Sequence, residues 1–564
     1  MNLSALVENL YANTIASLDL FRPELILCAT IVAMLLVRII AGTRVPAALV
    51  ALIGAGLGFY FSLPFGDEPI VRTEIFTGLL VYDGFTVFFR AILLFFAVLF
   101  VIFTQLSGIP DREDAPDFYS LVLGGTVGMC LMASANHLLM IFLAVEMASV
   151  PSYVLAGILK GRRQSSEAAI KYVVYGAGAA GVMLYGVSLL AGVLGSCHLP
   201  TMAAELANRL AADTLGESAM VLVLGGLMLG VGLAFKLSAF PFHFWCPDVF
   251  EGAAAEINAF LSIASKAAAL ALLVRVVVGF GHVPAENAPA SVIAAAASTS
   301  SQDGYFAIAD DETTRDSAAP ETQRAALAPV RDFMLLLVAV LAAVTCTFGN
   351  LAAYGQTNIK RLMAYSTIAH AGYMMMPVAA ALALSSQNTR AAEAAFAAIP
   401  FYVGIYLFMN LGAFAIIAFL RNELKSEEID DYSGLVRRSP GVVVCFSVIL
   451  FSLVGLPPLA GFAGKYVIFA SLVDAMAIPG ARLTMIALLV IGGLNTALSL
   501  FYYVRVVKVM TLDDERDTRA PASFSLASIP GAFVALVTIP VFVLGLFWNE
   551  LYQVAAGATT TLFG

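Results

Sequence analysis

The sequence predicts an all-α polytopic membrane protein of about fourteen transmembrane helices, two of them broken. Three observations predict it. First, 60% of the 564 residues are hydrophobic, only 12% are charged, and the mean hydropathy is +0.90. A soluble domain holds about 45–50% apolar and about 25% charged residues. This composition excludes a water-soluble enzyme, a disordered protein and a nucleic-acid binder. Second, long apolar runs recur between short polar punctuations, and a helical span needs about 20 apolar residues. Unsatisfied amides in hydrocarbon cost several kcal/mol each, so these runs must be helical, and no alternating barrel pattern is present. Third, prolines and glycines interrupt two runs at corresponding places in the two halves.

The helix cores in order fall near 22–40, 45–63, 76–105, 117–135, 138–159, 169–195 and 219–239. They continue near 256–280, 331–351, 360–384, 393–420, 440–474, 482–508 and 526–548. Several exceed one span, so tilting, breaking or projection beyond the lipid is expected. The N-terminus lacks the basic region and cleavage site of a secretory signal. Loop charges set the orientation. Sixteen basic residues, among them Arg112, Lys160, Arg162, Lys360 and Arg361, fall on one side, and eight, including Arg22, Arg72 and Arg209, on the other. This places both termini on the outer, periplasm-like side. Between Ala285 and Ala325, seven acids against Arg315 and Arg324 make an acidic, Ala/Ser-rich outer loop that reads as poorly ordered.

The six cysteines form no CxxC or cysteine–histidine spacing, and the five histidines no metal pattern, so neither a redox centre nor a metal is expected. Six basic residues remain inside spans: Arg90, Lys171, Lys236, Lys266, Arg275 and Lys465. A charge at a helix centre costs about 2.5–3.5 kcal/mol, so it needs a partner or water. Lys236 lies in GVGLAFKLSAFPFHFW, where Pro241 should break the helix near the lysine. Lys465 lies in SLVGLPPLAGFAGKYVIF, just after Pro457, Pro458, Gly461 and Gly464. Two interrupted helices with one lysine each point to an inverted-repeat transporter.

Glu146, midway along its span, is the candidate carboxylate, and Lys171 at the start of the next helix its expected partner. Lys266 follows Lys236 by thirty residues and is placed to pass a proton onward through Ser262, Ser265 and water. His243 and His370 supply groups that titrate near neutral pH. The plainer alternatives are structural lysines snorkelling to an interface, a satisfied core carboxylate and packed histidines. Arg90 and Arg275 read as snorkelling or lipid-binding, and Asp83 as a helix cap.

The segments KLSAFPFHFWCPDVFEGA, SIASKAAAL, NIKRLMAYSTIAHAGY and GLPPLAGFAGKYVIF, in that order, resemble the antiporter-like subunit N family of proton-pumping NADH–quinone oxidoreductase, respiratory complex I. The resemblance covers roughly residues 70 to 510. PDVFEGA and NIKRLMAYSTIAHAGY favour subunit N over subunits L and M, and a subunit L would need a long lateral helix after the last span. The resemblance implies two inverted five-helix repeats. The chain then divides into N-terminal helices (1–110), a first repeat (115–280), the acidic loop (281–330), a second repeat (331–510) and a C-terminal loop with the last helix (511–564). It implies that Glu146, Lys171, Lys236, Lys266 and Lys465 form a charged central axis for protons.

It further implies a multi-pass protein of the cell's inner membrane, with the other membrane-arm subunits as partners. NADH, FMN, iron–sulfur clusters and quinone would be handled in partner subunits, and this chain would bind no cofactor. Two departures stand out: GAAAEIN with Glu256 replaces the family's GAP and further prolines, and the 285–325 insertion replaces a short connection. The rival functions are a cation/proton antiporter subunit, of Mrp or hydrogenase-associated type, and a non-conducting structural membrane subunit.

Overall fold

The computed structural model describes residues 3–42, 45–64, 70–283, 325–516 and 524–563. The 285–325 insertion lies, but for its last residue, outside them, as do Arg44 and Arg519 of the charge bias. Four helices come first: α1 (Leu3–Leu20), α2 (Arg22–Ala41), α3 (Ala47–Ser62) and α4 (Gly84–Ser107). The first repeat opens with α5 (Ala115–Ser134), α6 (Leu138–Ala156) and α7 (Arg163–Leu194). A short connecting helix, α8 (Leu199–Ala211), leads to α9 (Ser218–Leu237) and α10 (Trp245–Gly252), then α11 (Ala255–Ser262) and α12 (Ala264–Gly281). The second repeat comprises α13 (Ala328–Ala353), α14 (Ile359–Leu384), α15 (Thr389–Leu424), α16 (Pro440–Val454), α17 (Ala460–Ala475) and α18 (Arg482–Thr511). The helices α19 (Ile529–Leu546) and α20 (Asn549–Thr559) follow.

Among the described residues, twelve helical segments are long and apolar enough to cross a membrane, and α3 and α16 are shorter apolar helices. Joining α9 to α10, α11 to α12 and α16 to α17 gives fourteen crossings, as the sequence predicts. The protein is a multi-pass membrane protein. Each repeat crosses five times. An odd number returns the chain on the opposite side, so the second repeat is inverted relative to the first.

Burial sorts the helices by what surrounds them. The most apolar stretches of Ala255–Gly281 and Ile359–Leu384 are wholly buried, and that of Thr389–Leu424 is 94% buried. Those of α2 and α18 are only 28% buried. The central helices are rich in alanine and glycine, which admits close approach of backbones. Lys266 and His370 therefore sit where protein rather than lipid is the solvent.

The structure revises the start of the third predicted helix core. Residues 76–82 are not helical: β1 (Thr73–Ile75) pairs antiparallel with β2 (Leu80–Tyr82), Ile75 opposite Leu80, and α4 starts only at Gly84. Asp83 stops the helix from starting earlier by accepting Thr86 N–H at 2.8 Å, the cap the sequence suggests. The core near 440–474 is interrupted as expected, because Pro457 and Pro458 cannot continue α16. The amphipathic α8 carries too few apolar residues to register as a span.

Arg90 and Arg275 do not snorkel. Arg90 pairs with Glu24 at 2.8 Å with both side chains buried. Arg275 donates to both Asp83 oxygens at 2.6 Å, to Thr86 Oγ1 at 2.8 Å and to Ala133 O at 2.8 Å. These buried pairs tie α2 to α4 and α12 to α4. Replacing one partner leaves the other charge buried alone, at a cost of about 3–5 kcal/mol. Arg275→Leu should therefore lower the thermal midpoint of the detergent-solubilised protein sharply, and Arg275→Leu with Asp83→Leu should recover part of it.

Candidate functional site

Lys236 occupies the last turn of α9. The helix stops one residue later because Ser238 adopts the left-handed conformation (φ 56°) and Pro241 supplies no donor to continue it. The stop leaves carbonyls without intrahelical partners. Trp245 Nε1–H donates to Phe235 O at 3.0 Å, and Lys266 Nζ donates to Leu237 O at 2.7 Å. Lys236 is buried and donates to Ser149 Oγ at 3.0 Å, which donates onward to Val145 O at 2.6 Å. The two lysines thus flank a single break, one on the residue before Leu237 and one on Leu237's carbonyl.

Glu146 lies one turn before Ser149 on α6. It lines a small cavity of about 10 Å³ together with Ser149, Tyr153, Gly176, Ala180 and Lys236. That volume approaches the room one water needs. The carboxylate faces Lys236 across it, so the expected Glu146–Lys171 pair is replaced by another. Lys171 binds Glu167 at 2.9 Å and Asp248 at 2.8 Å instead. The reason is geometric. Glu146 faces α7 at Gly176 and Ala180, more than a turn beyond Lys171, whereas Glu167 stands one helical turn from the lysine and α10 brings Asp248 alongside.

The second break mirrors the first in chemistry. Gly455, at φ +93°, ends α16, and Lys465 Nζ donates to Leu453 O at 3.1 Å and Val454 O at 2.9 Å. Its ammonium lies 4.5 Å from the Tyr373 ring centroid, a cation–π contact. Gly461 N–H donates to Ser452 Oγ at 2.9 Å, which fastens the start of α17 to the end of α16. Gly464 lies against Tyr402 so closely that a Cβ there would collide with the ring.

His370 is buried between two phenols. Its Nδ1 is 2.8 Å from Tyr402 Oη and its Nε2 3.4 Å from Tyr503 Oη, and Tyr503 reaches Ser366 Oγ at 2.5 Å. Its ring centroid stands 5.8 Å from that of Tyr373, the ring that carries Lys465. His243, in the loop after the first break, packs on Phe348 of α13 at 4.2 Å. Glu146, Lys236 and Lys266 therefore form one cluster, and His370 and Lys465 another. Among the described hydrogen bonds none joins Lys266 directly to His370, so a hand-over between the clusters needs water.

Several participants escaped the sequence reading. Asp248 accepts from Lys171 and also from Arg361 at 2.8 Å, and Arg361 reaches Glu251 at 2.6 Å. Lys360 is buried, pairing with Glu427 at 2.8 Å and donating to Ala253 O at 2.8 Å. Glu256, the acid of GAAAEIN, pairs with Arg421 at 3.3 Å. These contacts bind α10 and α11 of the first repeat to α14 and α15 of the second, and α7 to α10. Acidic residues in PDVFEGA beside basic ones in NIKR were the available signal. No group of three or more His, Cys, Asp or Glu among the described residues is placed to hold a metal ion.

Helix breaks that seat lysines on released carbonyls, repeated in two inverted halves, define an antiporter-like membrane subunit. A family profile described as NADH:quinone oxidoreductase/Mrp antiporter, TM, matches residues 135–301 and 322–491. NADH-quinone oxidoreductase subunit N of Anaeromyxobacter sp. (strain Fw109-5) is 35% identical, over 94% of this chain and 95% of that protein. NADH-quinone oxidoreductase subunit N 2 of Sorangium cellulosum is 36% identical, over 98% and 99%. A chain of respiratory complex I from Thermus thermophilus superposes with a TM-score of 0.66 at 29% identity, covering 95% of this chain and 99% of that one. A chain of the Mrp complex from Dietzia sp. shares the fold, with a TM-score of 0.72 at 17% identity over 97% and 98%. The chain belongs to the NADH:quinone oxidoreductase/Mrp antiporter membrane-subunit family, among its subunit N members.

The revised pairing has a measurable consequence. In a double-mutant cycle on thermal stability, Lys171→Met and Asp248→Asn should couple by about 0.2–1 kcal/mol, the range of partly exposed pairs. Lys171→Met and Glu146→Gln should be additive.

Proposed function

We propose that this chain carries protons across the membrane as a subunit of an NADH–quinone oxidoreductase, driven by quinone reduction in other subunits. The observation that supports it most is the seating of Lys236, Lys266 and Lys465 at two helix breaks, with Glu146 across a water-sized cavity from Lys236. NADH, FMN, iron–sulfur clusters and quinone belong to partner subunits in this reading, and the neighbouring membrane-arm subunits are its partners. The protein resides in the inner membrane with both termini on the outer side, as the loop charges favour. The working units are the repeats at 115–280 and 331–510.

In this mechanism a proton from the cytoplasmic side loads Lys236, and Glu146 stabilises the ammonium that results. The proton passes to Lys266 past the Leu237 carbonyl, then through water to His370, which two tyrosine hydroxyls orient. It reaches Lys465 and leaves outward. His243 is a further station beside the first break. Lys171, held by Glu167 and Asp248, acts on the axis through α10, which follows the loop after Lys236. A change at Asp248 shifts the break and thereby the groups seated on it.

Lys236→Met should abolish or sharply reduce proton pumping by the assembled complex in sealed vesicles, while NADH oxidation in its peripheral arm persists. Full pumping stoichiometry in that variant would remove the assigned role. Tyr402→Phe, which takes one hydroxyl from His370 without a cavity, should slow pumping without impairing assembly.

A further inference from the structure

A slot of about 360 Å³ opens between the two repeats, with α9 from Ala219 to Leu233 as one wall and α13 from Pro329 to Val338 as the other. Leu210 and Leu215 line the end at which α9 begins. The loop after the first break closes the other end: Phe240 N–H donates to Thr345 Oγ1 at 3.0 Å, and His243 packs on Phe348, with Thr345 and Phe348 both on α13. No polar side chain stands among the described lining residues. An ordered water needs about 2–4 polar partners, so water has no fixed place here. Gly226 and Gly230 lie one turn apart on the α9 wall, and a Cβ at either would meet no atom of the protein within 4 Å. These glycines serve no close approach of helices; they deepen the slot.

The slot is narrow. Leu273, Val276, Val277 and Phe280 of α12 form its floor and keep only 3–7% of their surface exposed. Helices dock by seating ridges of side chains in facing grooves, with axes about 8–10 Å apart. A floor so nearly covered leaves no such seat. The open surface of the walls also falls far below the roughly 600 Å² per partner at the low end of stable protein contacts. A neighbouring subunit therefore does not fill it. From Ala219 to Leu233 the helix rises about 21 Å, more than one leaflet's share of a hydrocarbon core about 30 Å thick. Phospholipid chains are the hydrocarbon that a bilayer presents at the slot's open side. We propose that it holds one acyl chain of an outer-leaflet phospholipid. The chain enters beside Leu215, lies along Gly226 and Gly230, and ends near Leu233, one turn short of Lys236. The choice of leaflet rests on the proposed orientation, which puts the start of α9 on the outer side; the occupant does not.

The test uses the intact complex in vesicles of phosphatidylethanolamine and phosphatidylglycerol that contain a little phosphatidylcholine with a diazirine midway along one acyl chain. The complex is re-extracted in mild detergent to strip loosely held lipid and then illuminated, and its peptides are read by mass spectrometry. Label is expected on both walls, 219–233 and 329–338. Gly226→Leu with Gly230→Leu fills the slot from a wall that has room, and leucine favours a helix over glycine, so the variant should assemble. It should lose wall label at least about tenfold, because each methylene displaced from apolar contact weakens binding about fourfold. Gly226→Ala alone should lose part of it, which keeps the test decisive if the double variant assembles poorly. Equal label in wild type and double variant, or wall label that vanishes on extraction, would overturn the site. Label displaced by excess long-tailed quinone but not by excess unlabelled phospholipid would reassign the slot to an isoprenoid chain. Label that appears only when the 285–325 insertion is cut short would give the slot to the insertion. None of these readouts depends on proton pumping, so the proposed transport and this site stand or fall separately.

Discussion

Carbonyl groups released where a membrane helix stops short are the condition on which the rest of this structure depends. An ammonium in hydrocarbon has no stable place unless oxygen atoms replace its water. The C-terminal end of a half-helix supplies both oxygens and the negative pole of the helix dipole. Lys266 on Leu237 O and Lys465 on Leu453 and Val454 O use that end directly. Lys236 sits within it, in the last turn of α9. The breaks in turn exist because Ser238 and Gly455 take left-handed conformations and prolines follow. Local backbone chemistry thus precedes, and permits, the charged interior.

Much of this was legible from residue order. Fourteen crossings, two interrupted helices and an inverted repeat follow from hydropathy and from the positions of Pro241, Pro457 and Pro458. Asp83 as a cap follows from its place before an apolar run. Azimuth was not legible. Glu146 and Lys171 lie on consecutive helices joined by a short turn, and sequence spacing alone makes them neighbours. The direction in which each side chain leaves its helix sends them apart. Arg90 and Arg275 failed for a related reason: their acids, Glu24 and Asp83, are 66 and 192 residues distant, and only the folded chain presents them. The hairpin at 73–82 was hidden because its apolar residues merge with the helix that follows.

The boundary between repeats is where the charge pattern was least readable and carries most. Arg361 is shared by Asp248 and Glu251, while Lys360 joins Glu427 to the Ala253 carbonyl between α10 and α11. Two inverted halves with similar apolar faces have little to fix their relative register. Ion pairs between them, each specific in position, supply that register. Glu256 belongs to the same boundary. Its partner, Arg421, stands on the opposite repeat, so this acid adds a clamp between the repeats.

The length of α15 ties these levels together. Tyr402, which holds His370, and Arg421, which holds Glu256, lie on one uninterrupted rod, separated by roughly 28 Å at the usual rise per residue. A stiff helix cannot shift one of these without dragging the other. The histidine's phenol partner and the Glu256 clamp between the repeats therefore keep one fixed spacing along the helix.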